Sequence, residues 1–396
     1  MPEKIIHKKK EPLFHVIKRT NLKFYQSWLI RIGSVIFAML LACLLLFIFT
    51  GASPVTVVSQ MFKGCFGTPR RTWLLFREMS LLLIVGLALI PAFRMKFWNL
   101  GGNGQILIGA LMSIICMKYM GEAGLPDYAI ILVSIPSSIL AGAIWAMIPA
   151  IFKAFFNTNE SLFTLMMNYI AAGLVSAFIA LVAKNGSGVI TPIKYGHLPT
   201  VYNAHLLVIL VAIVILILMF VYLRFSKHGY ELEVVGESQN TARYIGINVK
   251  KVIIRTLFIS GAICGVVGLL LAQGINYTIT SESAKNMGFT SIMVAYLAKF
   301  NPLTMIITSF LVAFVNNGMN QVQTALSITN DSISNIVIGI IYFCVIASDF
   351  FVSYQVVLSN HIHKDKGSKG LSQLTENLKL INPFSKWKKN EKKEGN

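Results

Sequence analysis

The feature that most limits the fold of this chain is a series of apolar runs, each long enough to cross a lipid bilayer. A helix needs about 20 apolar residues to span the hydrocarbon core. Seven runs approach or exceed this length: residues 32–49, 73–93, 128–152, 162–182, 206–223, 252–271 and 333–354. Only 13% of the residues are charged, whereas soluble domains carry roughly 25%. The pattern excludes an ordinary soluble enzyme and predicts an integral membrane protein.

Three further apolar runs are too short to cross a bilayer alone and are predicted to form interrupted or partly re-entrant spans: residues 106–117, 289–297 and 303–315. Counting them gives ten crossings and places both termini on one side. With that side taken as cytoplasmic, it holds 27 of the 35 Lys and Arg residues. This bias is the one that the positive-inside rule requires.

The chain is therefore expected to be an all-α membrane protein of about ten transmembrane helices. Residues 1–31 form a basic cytoplasmic segment, too long for a cleaved signal. Residues 32–356 form the transmembrane domain, within which 224–251 is a long cytoplasmic loop. Residues 357–396 form a Lys-rich cytoplasmic tail, which is predicted to be disordered and able to lie on anionic lipid.

Motifs of enzymes and metal sites are missing from the sequence. It contains no GxxxxGK[ST], HExxH or GxSxG pattern, and its five cysteines are scattered singly. We therefore predict no catalytic residue, no metal and no cofactor of its own. The positive charge lies in tails and loops, so nucleic acid is not an expected partner.

Acidic residues distinguish between classes of transporter, because ion-coupled carriers place titratable carboxylates deep in the membrane. Only Glu78, Glu160 and Asp349 lie in or beside a run, and each is near an end. Energy for transport is therefore expected from another polypeptide. An ion-coupled carrier and a membrane-embedded enzyme remain as alternatives.

Two groups of polar residues are candidates for a solute path. Glu160, Thr164 and Asn168 recur every four residues and share one helical face. Asn99, Asn103 and Gln105 alternate with glycines at 101, 102 and 104, and these glycines argue against a regular apolar helix there. Irregular backbone at membrane depth must lie inside the protein or along a water-filled cavity. Glu160 is expected to act as a gate of this path. The alternative for the three residues on one face is interhelical hydrogen bonding, and the alternative for Glu160 is a helix-terminal role.

Gly261, Gly265 and Gly268 are expected only to allow close helix packing.

Several ordered blocks resemble the permease subunits of bacterial ATP-binding-cassette importers, in the branch for simple sugars and nucleosides. They are FWNLGGNGQILIGA, NESLFTLMMNYIA, GYELEVVGESQNTARYIGINV followed by SGAICG, and NPLTMIITSFLVAFVNNG. Together they cover about residues 75–355. Two positions depart from the family pattern: Asn103 replaces a frequent Glu, and Glu233 replaces an Arg.

The resemblance implies inverted repeats at about residues 73–184 and 252–356, and translocation powered by a separate cytoplasmic ATPase, where ATP binds. It also implies a second permease subunit, either a related chain or a copy of this one, and an extracellular solute-binding lipoprotein in a bacterial plasma membrane. The nucleoside members are the most similar, with a simple sugar as the alternative solute. Coupling to the ATPase is assigned to a set within the loop: Gly236, Glu237, Ala242, Arg243, Tyr244, Gly246 and Ile247.

Overall fold

The computed structural model describes residues 14–18, 24–183, 189–200, 203, 205–328 and 331–358. Most of these residues are helical and very few are in strands, so the predicted all-α fold is confirmed. The elements are β1 (Phe14–Lys18), α1 (Phe24–Thr50), α2 (Pro54–Phe66), α3 (Pro69–Arg94), α4 (Gly102–Glu122), α5 (Asp127–Phe156), α6 (Glu160–Val182), α7 (Leu206–Phe225), α8 (Lys227–Glu237), α9 (Gln239–Tyr244), α10 (Val249–Leu269), a π-helical segment (Leu270–Asn276), α11 (Met287–Leu297), α12 (Pro302–Ala325), α13 (Asp331–Ser353) and β2 (Tyr354–Leu358).

Nine helices within the described ranges are long and apolar enough to cross a membrane. They are α1, α3, α4, α5, α6, α7, α10 with its π-helical extension, α12 and α13. Helix α11 is apolar but has only 11 residues. The count agrees with the predicted total of about ten.

Two of the three short apolar runs are longer helices than their apolar cores indicate. Helix α4 has 21 residues and α12 has 24. The helical backbone continues through glycine and amide residues at their ends. The expectation that glycines prevent a regular helix near Asn103 is therefore wrong: α4 begins at Gly102. Only the run at 289–297 remains short, as α11.

The described residues divide into two compact units, 42–339 and a smaller one drawn from 1–41 and 340–396. In the smaller unit β1 and β2 pair antiparallel, with Phe14 opposite Leu358 and Lys18 opposite Tyr354. This pair was not predicted, and β2 includes the first two residues of the predicted disordered tail. The rest of that tail, and most of the basic segment 1–31, lie outside the described residues.

Proline and capping residues fix where several helices of the larger unit begin. Thr68 caps α3 and Asn301 caps α12, each by accepting a backbone hydrogen bond, and each is followed by proline at the first helical position. Proline is favoured there because its missing N–H would have no intrahelical partner. Asparagines cap two more starts, Asn159 for α6 and Asn248 for α10.

Helix α3 is central to the larger unit, and every residue from Leu81 to Phe93 is buried. Helices α4, α5 and α10 pack together through glycines. A Cβ added to Gly142 would come within 2.5 Å of the carbonyl oxygen of Gly261, and one added to Gly109 would come within 2.7 Å of the Cα of Gly265. The predicted packing role of the α10 glycines is confirmed, since a side chain at these positions would separate the helices.

Candidate functional site

The five residues predicted to line a solute path come together in the interior, around the first turn of α4. Asn99, Asn103, Gln105, Thr164 and Asn168 are all buried, none more than 9% exposed. We call these five residues the polar cluster. Because all five side chains are neutral, the cluster offers hydrogen-bond donors and acceptors without a fixed charge.

Asn99 organises the turn that leads into α4. Its Oδ1 accepts hydrogen bonds from the backbone N–H of Gly101 at 3.0 Å and from Nε2 of Gln105 at 3.3 Å. Its Nδ2 donates to Oγ of Ser260 on α10 at 3.3 Å. The side chain therefore satisfies an otherwise unpaired backbone donor at the helix start and links it to α10.

Asn103 joins α4 to the short helix α11. Its Oδ1 accepts the backbone N–H of Gly288 at 2.7 Å, and its Nδ2 donates to Oδ1 of Asn286 at 3.4 Å. A Cβ added to Gly102 would lie 3.2 Å from the Cα of Gly288. Two helix N-termini thus meet inside the protein, each with a partial positive charge.

Helix α6 contributes two side chains that hold the same turn. Asn168 accepts the N–H of Gly104 and donates to the carbonyl of Leu100, both at 2.8 Å. Thr164 accepts the N–H of Leu100 at 3.1 Å and donates to the carbonyl of Glu160 at 2.7 Å. The turn that leads into α4 runs along α6, and Thr164 and Asn168 bind different backbone groups of it. These contacts explain the four-residue spacing of the two side chains.

Gln105 differs from the rest of the polar cluster because its Oε1 is buried without a hydrogen-bond partner in the described part of the chain. Its Nε2 donates only to another side chain, that of Asn99. An unsatisfied buried acceptor costs about 1–3 kcal/mol. Gln105 is thus the member of the polar cluster whose side chain binds no backbone group and keeps an unused acceptor.

Glu160 is the first residue of α6, and its carboxylate forms an ion pair with Lys153 Nζ at 2.8 Å. The two side chains are 15% and 20% exposed. The capping hydrogen bond at this helix comes from Asn159 and not from Glu160. Glu160 therefore joins α6 to the last turn of α5 and also lies where the helix dipole favours a negative charge.

The predicted coupling loop contains two short helices, α8 and α9, separated by Ser238. Helix-forming residues run from Glu237 to Tyr244, but Ser238 within this stretch is extended and its hydroxyl caps α9. Serine favours this position because its side chain competes with helical backbone bonds. Gly246 has φ +84°, the left-handed conformation expected for a glycine that ends a helix.

The seven residues assigned to coupling divide into anchors and exposed positions. Gly236 and Ala242 are buried, and a Cβ on Gly236 would overlap the carbonyl oxygen of Arg94 at the end of α3. Glu237, Arg243 and Gly246 are exposed, Tyr244 is 92% exposed, and Ile247 is half-buried. The segment thus presents a projecting tip on a base that packs against the transmembrane helices.

Two ion pairs, neither of which was predicted, tie α8 to the transmembrane helices. Glu231 pairs with Arg255 of α10 at 2.8 Å, and Glu233 pairs with Arg94 of α3 at 3.0 Å. Burial acts to raise the pKa of Glu231, but hydrogen bonds from Arg255 and His228 outweigh burial and hold the pKa below its ordinary value. The departure from the family pattern at Glu233 was a sequence signal for one pair, while nothing in the sequence indicated the other.

No group of three or more metal-binding side chains occurs within the described ranges. The structure there defines a helical protein with many membrane-crossing helices and a neutral polar cluster between two internal helix starts. Such a molecule belongs to the class of multi-pass integral membrane proteins.

Comparison with known proteins identifies the family. Residues 73–346 match the family described as branched-chain amino acid transport system / permease component, and the chain belongs to this family. The predicted resemblance is confirmed, and so is the prediction that the chain is a multi-pass transport permease and not an enzyme.

Individual relatives are permeases of ABC transporters. The guanosine ABC transporter permease protein NupP of Bacillus subtilis is 27% identical over 320 residues, which cover 78% of this chain and 90% of the relative. The nucleoside permease NupB of Lactococcus lactis is 23% identical, covering 86% and 94%. A glucose permease of Haloferax volcanii is 25% identical, covering 69% and 76%. No solved structure matches the chain significantly.

Proposed function

We propose that this chain is the membrane-spanning permease subunit of an ABC importer that carries nucleosides across the bacterial plasma membrane. The observation that carries the proposal is the similarity to the guanosine and nucleoside permeases over at least 90% of their length. The neutral polar cluster is compatible with this solute class, because nucleosides are uncharged and present both donors and acceptors.

The proposed assembly contains a cytoplasmic ATPase, a second permease subunit (a related chain or a copy of this one) and an extracellular solute-binding lipoprotein. Both termini of this chain and the α8–α9 segment would face the cytoplasm. The distribution of basic residues supports that orientation. The exposed tip at Arg243 and Tyr244 supports contact with a soluble partner.

Coupling would work through the base of the α8–α9 segment. A force applied to the tip reaches α10 through the ion pair of Glu231 with Arg255, and α3 through that of Glu233 with Arg94. Helix α3 also packs against α11, which begins beside Asn103. Movement of α3 and α10 would then change the spacing of the two helix starts that the polar cluster joins, a shear of packed helices.

The solute path is proposed to run along the polar cluster. In the observed conformation most of its groups bind backbone, so a solute would use the unpaired Oε1 of Gln105, or groups released when α4 and α11 separate. Asn286, which is exposed and adjoins Asn103, would extend the path outward. Glu160 would act at the helix end, where it pairs with Lys153, as part of a gate between α5 and α6.

A simple sugar is the second candidate solute, favoured by the glucose permease among the relatives. Sugar hydroxyls also suit a neutral amide lining. An ion-driven carrier is the candidate of a different class. It would keep transporting when ATP is depleted and would stop when an uncoupler collapses the ion gradient.

The proposal is tested by uptake in cells that carry the complete transport system. Radiolabelled guanosine uptake should be competed by other nucleosides, not by glucose or ribose, and should stop on ATP depletion. Absence of guanosine uptake, with uptake of radiolabelled glucose or ribose by the same cells, would identify a sugar as the solute instead. Uptake that survives ATP depletion would remove the ABC mechanism.

The same assay tests the path. Gln105→Met keeps side-chain length and removes the unpaired acceptor, so it should lower the uptake rate severalfold. Ser113→Ala is the matched control, because Ser113 is also on α4, also buried and also unpaired among the described residues. Equal uptake by both variants and the parent would place the path elsewhere.

A further inference from the structure

A cavity of about 410 Å³ opens where the ends of α3 and α7 meet the starts of α8 and α12. Its polar lining includes Arg94, Arg224, Tyr230 and Glu233, and its apolar lining includes Phe220 and Leu303. The cavity is separate from the polar cluster and shares no residue with it. Two of its lining residues, Arg94 and Glu233, form the ion pair between α3 and α8.

The two arginines of this cavity, Arg94 and Arg224, differ in whether a carboxylate neutralises their charge. The charge of Arg94 is neutralised: it pairs with Glu233 at 3.0 Å, and Nη2 donates to the carbonyl of Phe300 at 3.0 Å. Arg224 has no carboxylate within 4.0 Å among the described residues. Its guanidinium lies 5.8 Å from the ring centre of Phe220 and 6.0 Å from that of Phe225. The cavity therefore holds one uncompensated positive charge, whose N–H groups are free for an anion.

Two further features favour an anion in this cavity. Helix α12 begins there, with Asn301 and Pro302 in the lining, so the positive end of its dipole faces the space. Tyr230, whose side chain is exposed at the rim, supplies a hydroxyl donor. A phosphate diester matches this combination, because guanidinium groups bind phosphate oxygens through paired N–H bonds.

An exposed apolar surface leads away from the cavity along both adjoining spans. On α12, Leu303 is 50% exposed and Ile307, one turn further, is 54% exposed. On α7 the exposed apolar residues towards the cavity include Val214, Ile217, Leu218, Val221 and Phe225. A free inorganic phosphate would leave this surface unused, whereas a molecule with an anionic head and long apolar chains would cover it.

We propose that the Arg224 cavity binds the headgroup of an anionic phospholipid whose acyl chains lie along α7 and α12. Basic pockets between membrane helices bind such headgroups by the same chemistry. Because Glu233 and Tyr230 belong to α8, a bound lipid would tie the α8–α9 segment to the membrane surface. The proposal does not depend on which solute the protein transports.

The test uses the purified full-length chain in detergent, with dioleoyl phosphatidylglycerol, dioleoyl phosphatidylcholine and inorganic phosphate as probes. Native mass spectrometry measures lipid retained per chain, and thermal unfolding measures stabilisation. We expect phosphatidylglycerol to be retained and to raise the Tm, while the zwitterionic lipid and phosphate do neither. Arg224→Gln should weaken phosphatidylglycerol binding about tenfold, the loss expected for hydrogen bonds to a charged group.

Two further variants separate a lipid site from general charge. Arg243→Gln removes an exposed Arg of the same segment outside the cavity and should leave binding unchanged. Glu233→Gln removes the carboxylate that neutralises Arg94 and should strengthen binding, an effect that a damaged fold would not give. Equal binding by Arg224→Gln and the parent, or equal loss in Arg243→Gln, would overturn the proposal. Stabilisation by inorganic phosphate to the same extent as by phosphatidylglycerol would also overturn it, in favour of a free anion.

Discussion

The backbone N–H of Gly288 donates a 2.7 Å hydrogen bond to Oδ1 of Asn103, so that one amide joins two helix starts 185 residues apart in the sequence. Each start lies in one of the two regions expected to be inverted repeats. The repeats themselves stay a prediction, but this contact shows how the two halves of the chain share an interior junction. A substitution at Asn103 or Gly288 therefore alters a contact that both halves share.

The first prediction concerns the rank of stability losses in the polar cluster. Asn168→Leu leaves the N–H of Gly104 and the carbonyl of Leu100 without side-chain partners, and Asn103→Leu leaves the N–H of Gly288 unpaired. Each should cost about 1–3 kcal/mol per orphaned buried group. Gln105→Met orphans no backbone group and should cost less. Thermal unfolding in detergent measures the order.

If Gln105→Met destabilises the chain as much as the two leucine variants, the hydrogen bonds to backbone are not what holds this junction. If the leucine variants retain full stability but lose transport severalfold, their side chains act on the solute directly. If they lose stability and transport together, their first role is to hold α4.

The second prediction tests coupling with two glycines of equal geometry. Gly246 and Gly124 have φ of +84° and +76°, and an added Cβ meets nothing within 4 Å at either. A left-handed conformation costs a β-branched residue about 1–2 kcal/mol or more, so Gly246→Val and Gly124→Val impose similar local strain. Only Gly246→Val should impair uptake, because only Gly246 belongs to the proposed contact with the ATPase.

Expression of both variants and solute affinity of the isolated binding protein serve as controls and should match those of the parent system. Normal uptake with Gly246→Val would remove the coupling assignment. A similar loss in both variants would show that backbone strain, and not position, is responsible.

The third prediction concerns sidedness. Lys194 and Thr241 are both exposed, in the α6–α7 connection and in α9 respectively. With the termini in the cytoplasm, Lys194→Cys should react with a membrane-impermeant maleimide in intact cells, and Thr241→Cys should react only after permeabilisation. The parent gives the background, because it keeps the buried Cys43, Cys65, Cys116 and Cys264 and the half-buried Cys344. Labelling of Thr241→Cys in intact cells would invert the proposed orientation.

The fourth prediction is a pH dependence at the base of α8. The pKa of Glu231 is held below its ordinary value by hydrogen bonds from Arg255 and His228, which outweigh the opposing effect of burial. A lowered pKa in the folded state means that the ionised carboxylate stabilises the fold. This contribution is complete above the ordinary carboxyl pKa, and it is lost as the pH falls through the lowered value.

Glu231→Gln should therefore destabilise the chain by about 1–3 kcal/mol at neutral pH, and the difference from the parent should shrink in acid. The control is Glu237→Gln, because Glu237 is exposed and has no cation within 4.0 Å among the described residues. A difference for Glu231→Gln that stays constant from pH 7 to pH 3 would show that the ion pair is not its source.

Much of this protein follows from the local sequence. The apolar runs determine which segments can cross a membrane, because the bilayer sets the length of a spanning helix. Thr68 and Asn301, each followed by proline, determine where α3 and α12 start. Gly246 indicates its own positive φ, because the end of a helix commonly needs a residue that tolerates this conformation. Each of these features depends on neighbours along the chain. The apolar runs were predicted from the sequence, whereas the caps at Thr68 and Asn301 were recognised only in the structure.

What only the tertiary structure decided is which groups share a place. Helical periodicity put Thr164 and Asn168 on one face of α6, but it did not show that this face receives the turn before α4. The expectation that the glycines near Asn103 prevent a regular helix was wrong. These glycines begin a helix because Asn99, Asn103 and Asn168 satisfy backbone groups there and on α11. The partner of Glu231 is Arg255 because α8 folds back on α10. Contacts between distant segments depend on how whole helices pack, and no spacing within one segment encodes its partner.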